Sequence, residues 1–128
     1  MKLKKLLLFT AFLEFTVGLV LFLIPATLIS LLFGIESDNN LNIVGRFAGI
    51  CLITFSIACW QRKNSEDGKI NKPAVNSMFI YNLLVAAFLL YLKFSTGLNG
   101  SLLLPAGIYH SLITVIYVFL MINENKNS

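Results

Sequence analysis

The chain has 128 residues and a formal net charge of +4; 57% of it is hydrophobic and 12% charged. A water-soluble domain carries about a quarter charged residues, so this composition points to a membrane protein and leaves room for one domain only. The positive charge is not a nucleic-acid footprint, because it clusters at the ends of apolar runs.

Lys2, Lys4 and Lys5 precede the first apolar run, which is read as a span over residues 6–32. It is longer than the ~7–15 residues of a secretory signal core, no small-x-small cleavage site follows, and it contains Glu14, so it is taken as a retained helix. Pro25 either kinks this helix or begins a short interfacial segment that ends at Gly34. Ala11, Glu14 and Gly18 fall at i, i+3 and i+7, a small-residue stripe with the acid inside it.

The second span is read over residues 41–60, LNIVGRFAGICLITFSIACW, and the other intramembrane polar groups are expected to answer to it. Arg46 stands in its first turns. A charge in hydrocarbon costs at least ~2.5–3.5 kcal/mol, so Arg46 either snorkels to the headgroups, faces a partner or lines a wet cavity. Gly45 and Gly49 beside it would let another helix approach closely, and Arg46 is expected to share a face with Gly49, Ile50 and Ile53. Cys51 and Cys59 lie about 12 Å apart along one helix, too far for a disulfide, and read as small buried hydrophobes. Trp60 sits where an indole prefers the headgroup boundary.

Residues 61–72, QRKNSEDGKINK, form the one strongly hydrophilic loop, with a turn expected at Asp67-Gly68. Pro73 suits the start of a third span over 74–94, whose polar members are Tyr81, Asn82 and Tyr91. A turn through Gly97 and Asn99-Gly100 follows, and Asn99-Gly100-Ser101 also matches an N-glycosylation acceptor. The fourth span, 102–122, carries a small and polar stripe at Gly107, His110, Ser111 and Thr114; the tail after it is expected to be disordered.

These runs predict an all-α fold, four transmembrane helices in an up-down bundle. The basic residues gather before span one, between spans two and three and after span four, whereas Glu36, Asp38 and Lys93 lie on the other side. That pattern places both termini in the cytoplasm, in a multi-pass membrane protein. At ~1.5 Å per residue, Glu14 and Asn82 each lie about 12 Å inside the boundary, His110 near mid-membrane and Arg46 close to the far side, a staggered ladder if all four face inward. Glu14, Arg46, Asn82 and His110 are therefore the candidate ligand- or partner-binding residues, with Gly18, Gly45, Gly49 and Gly107 as packing positions. Each has a blander reading: Arg46 as a snorkelling residue, Glu14 as a protonated acid, Asn82 and His110 as interhelical hydrogen-bonding groups. A Glu14–Arg46 salt bridge would have to close a gap of a helix turn or two. No nucleophile stands with a base, and one histidine without an acidic cluster argues against a metal, so neither catalysis nor a cofactor is expected.

Several short pieces carry a resemblance: Leu13-Glu14 with Gly18-Leu19 and Pro25, Leu32-Phe33-Gly34, Arg46-x2-Gly49, Ala58-Cys59-Trp60, Tyr81-Asn82-Leu83-Leu84-Val85-Ala86 and Pro105-Ala106-x3-His110. Together they cover nearly the whole chain, which resembles small bacterial four-helix membrane proteins of broadly DoxX-like architecture. The resemblance implies a four-helix bundle in the cytoplasmic membrane. Some DoxX-like proteins are subunits associated with quinone-linked sulfur oxidation, but no motif here carries that role over.

The leading expectation is a non-enzymatic membrane subunit or scaffold that binds a partner, lipid or quinone-like ligand through its intramembrane polar residues. One alternative is a small proton-coupled transporter using Glu14 and His110; another is a subunit of a membrane redox complex, in which Cys51, Cys59 or Tyr81 would matter. The partners expected are the lipid bilayer and a membrane protein or a second copy of this chain, with no nucleic acid.

Overall fold

The computed structural model describes residues 3–62 and 70–126 and is all-helical over them. In chain order it has α1 (Leu3–Leu23), α2 (Pro25–Phe33), α3 (Asn39–Gln61), α4 (Lys72–Ser95) and α5 (Leu103–Lys126). Four of these, all but α2, are long and apolar enough to cross a membrane. At 21 residues α1 is the shortest of the four, and at ~1.5 Å per residue it still matches a hydrocarbon core about 30 Å thick. The architecture is the four-span, all-α fold expected. The turn anticipated at Asp67-Gly68 lies outside the described residues. The tail departs from expectation, because α5 continues to Lys126.

The first apolar run is not one helix. Ile24 leaves helical geometry, at φ −134° and ψ 60°, and Pro25 opens α2. Proline suits that position because the first N–H groups of a helix have no partner to lose. With nine residues, α2 is too short to span and runs beside the bundle until Gly34 ends it in the left-handed region at φ 70°, its N–H bonded to Ser30 O at 2.8 Å. The starts of α3 and α4 are capped by side chains: Asp38 accepts from the Leu41 N–H at 2.7 Å and Asn71 from the Ala74 N–H at 3.0 Å.

Antiparallel neighbours bring the chain ends together. Leu3, Lys72, Met121 and Glu124 line one cleft at the termini end. At the opposite end, the α4–α5 connection folds against α2. Leu102 N donates to Leu31 O at 2.8 Å, and Gly100 lies so close to Leu32 that an added Cβ would sit 2.1 Å from its carbonyl oxygen.

The bundle is built as two tight helix pairs. In the α1/α3 pair, Gly18 faces Gly49 and Ile53, and a Cβ on Gly49 would meet Gly18 O at 2.7 Å. In the α4/α5 pair, Gly107 faces Leu90, 3.0 Å from an added Cβ. Gly45 packs on Pro25 and Ile29 of α2, so its partner is the short helix and not another span. The pairs meet mainly along α1 and α4, with α3 and α5 farthest apart. Around this core the exterior is apolar, with Phe47, Phe88, Phe94 and Phe119 all more than half exposed. Such a surface is compatible with a lipid surround.

Candidate functional site

Glu14, Tyr81, Asn82 and His110 converge at mid-span where the two helix pairs meet. Glu14 projects from α1 and is 3% exposed; Asn82 on α4 is fully buried; His110 on α5 is 8% exposed. The Tyr81 hydroxyl donates to Glu14 Oε2 at 2.9 Å and so ties α4 to α1. Asn82 Nδ2 donates to the Met78 carbonyl at 2.8 Å, one turn back on its own helix, which turns Oδ1 towards α5. There it lies 2.8 Å from His110 Nδ1. Since Oδ1 can only accept, Nδ1 carries the hydrogen in this contact. His110 Nδ1 also lies 4.0 Å from Glu14 Oε1.

Aromatic rings wall the group. Tyr81 and Tyr109 meet the His110 ring edge-on, at centroid distances of 6.0 and 5.1 Å, and Phe55 of α3 packs on Tyr81 at 5.4 Å. The Tyr109 hydroxyl is buried without a hydrogen-bond partner among the described residues. Thr114 donates to the His110 carbonyl at 2.7 Å.

The anticipated ladder becomes one layer. Three of its members, Glu14, Asn82 and His110, meet at a common level, and the difference from the depth estimate comes from α1 and α4 starting earlier, at Leu3 and Lys72. Arg46 is not among them. It is exposed on the outside of α3, as is Ile50, whereas the buried face of that helix runs through Gly45, Gly49, Ser56 and Cys59. The shared face expected for Arg46, Gly49 and Ile50 is therefore split, since successive turns drift across a 3.6-residue helix and the inner stripe follows the glycines. Cys51 is exposed, not buried, and Cys59 alone joins the core. Among the described residues no three His, Cys, Asp or Glu side chains come together around a metal-sized space.

Tyr81 was read from the sequence as a polar member of the third span and in the redox alternative, not as one of the four ligand- or partner-binding residues. A phenol beside Asn82 in an apolar helix was the available signal, because a buried tyrosine hydroxyl needs a partner and Glu14 needed one too. Thr10 and Tyr117 form a second buried pair nearer the termini end, at 2.8 Å across α1 and α5. The Thr10 hydroxyl also bonds the Leu6 and Leu7 carbonyls. Tyr117→Phe should therefore lower stability by only about 1 kcal/mol, measured as a shift in the detergent-unfolding midpoint.

Chemically, the layer can do two things. Its hydrogen bonds join α1 to α4 and α4 to α5, fixing the two pairs in register. Its carboxyl and imidazole are both proton-exchanging groups, and 4.0 Å separates them. Comparison with family models, curated proteins and solved structures returns no match.

Proposed function

We propose that this chain is a non-enzymatic membrane subunit or scaffold that holds a lipid, quinone-like ligand or partner within the bilayer. The observation that carries this reading is that the polar layer is bonded chiefly to itself. Tyr81 is spent on Glu14, and Asn82 on Met78 and His110, inside a bundle where Glu14 and Asn82 are almost fully buried. An internally bonded layer holds helices together, leaving the outer surface for recognition. The DoxX-like resemblance is compatible with such a subunit in a redox assembly.

The second reading, a small proton-coupled carrier, rests on Glu14 and His110 standing 4.0 Å apart at mid-span. Glu14→Gln separates the two. Glutamine keeps an oxygen to accept from Tyr81 but cannot exchange a proton. For a subunit the variant should assemble and unfold like the wild type, and neither protein should carry a pH-driven flux in liposomes. A wild-type flux that Glu14→Gln abolishes would replace the subunit reading with the carrier.

A further inference from the structure

A lateral groove of about 410 Å³ opens between α1 and α3 towards the termini end. Its floor is made of small buried residues, Ala11 at 1% and Ser56 at 2% exposure. The Ser56 hydroxyl is turned back onto the Leu52 carbonyl at 2.8 Å, so the floor presents little polarity. Phe12 and Phe15 wall one side, Ile57 the other. The two exits differ. Deeper in the membrane the groove ends in apolar side chains, but towards the termini it reaches Trp60 and Gln61, the last residues of α3. It follows only about 8 Å of the α3 axis, too short a track for a partner helix that would lie along the whole span.

Charge selects the occupant. Lys4 and Lys5 stand seven residues before Ala11 and Phe12, so they share the face of α1 that carries the groove wall, two turns nearer the terminus. Both are exposed. In the register set by Gly18 against Gly49 and Ile53, they project past the end of α3 at Gln61. Among the described residues, Lys4, Lys5, Arg62 and Lys72 stand at the termini end with one acid, Glu124, whereas Arg46 and Lys93 at the opposite end are matched by Glu36 and Asp38. The molecule that suits an apolar slot with a cationic mouth has an acyl chain and an anionic headgroup.

We infer that the α1/α3 groove is a binding site for one anionic phospholipid, its chain laid between Phe12, Phe15 and Ile57 and its phosphate at Lys4 and Lys5. This rests on the proposed ligand-holding role and names the ligand class for it.

Trp60, the single tryptophan, borders the groove and supplies the readout. The full chain is reconstituted in phosphatidylcholine vesicles carrying equal mole fractions of either brominated phosphatidylglycerol or brominated phosphatidylcholine, and bromine quenching of Trp60 is compared. Phosphatidylglycerol should compete for the site at least about fivefold better, the factor a single lysine near an anionic surface supplies. The exposed double substitution K4Q/K5Q should remove that preference while leaving the circular dichroism unchanged. Equal quenching by the two lipids would overturn the inference, and so would a preference that survives K4Q/K5Q. In either case a different ligand or a partner chain retained on gentle release from the membrane would leave the broader subunit reading standing. A bare chain would remove both.

Discussion

Gly49→Val is expected to separate α1 from α3 and to lower stability by about 3 kcal/mol, the upper end of the usual range for overpacking. The first atom of the new side chain would lie 2.7 Å from the Gly18 carbonyl oxygen, 2.8 Å from the Phe22 nitrogen and 3.1 Å from Leu21 Cβ. Two of these contacts are helix backbone, which cannot rotate away, so the helices must part. The γ-carbons of valine widen the gap further. Gly45→Ala provides the contrast, since its new Cβ would meet side-chain carbons of Pro25 at 3.0 Å and Ile29 at 3.1 Å on the short helix α2. Unfolding in mixed detergent micelles should rank wild type, then Gly45→Ala, then Gly49→Val. A Gly49→Val midpoint equal to the wild type would mean that the glycine contact does not hold the pair.

Asn82→Leu is the second large effect. The two side chains are close in size, so little packing is lost, but His110 Nδ1–H is left buried with no acceptor at 2.8 Å. An orphaned donor of this kind costs about 1–3 kcal/mol. The Met78 carbonyl loses less, because it belongs to the α4 helix ladder. His110→Leu alone should be destabilising for the converse reason, with Asn82 Oδ1 left unpaired. Asn82→Leu combined with His110→Leu removes both partners at once and should recover much of the loss, a non-additivity that a double-mutant cycle in detergent resolves. Additive losses would show that the two side chains are not coupled.

The helices were legible in the sequence because the bilayer leaves few choices: about 20 apolar residues, an interruption, and again. Pro25 was legible as a break for the same reason that it opens α2. Helix faces were harder to read. In a soluble bundle hydrophobicity marks the inside, but here Phe47 and Phe94 face outward while Leu6, Leu7 and Met78 face inward, all equally apolar. The usable signal was smallness and polarity. It placed Ala11, Glu14 and Gly18 on one buried face of α1, and Gly107, His110 and Thr114 on one buried face of α5.

Arg46 shows where that signal stopped. Charge made it the expected centre, yet a long side chain near a helix end has an exit to the headgroups that Glu14, at mid-span, lacks. The inward groups were those without such an exit. Tyr81 was harder to place for a related reason, since the sequence does not reveal the partner of its hydroxyl. That partner is 67 residues away, a pairing that only the meeting of α1 and α4 creates.

The central claim is that the polar layer holds the bundle and the outer surface holds something else. Native mass spectrometry of the protein, released gently from its own membrane, tests it most directly. The account predicts that the chain flies with additional mass, a partner chain or a tightly retained lipid or quinone-like molecule. A bare chain, or an assembly of bare chains with nothing attached, would contradict it.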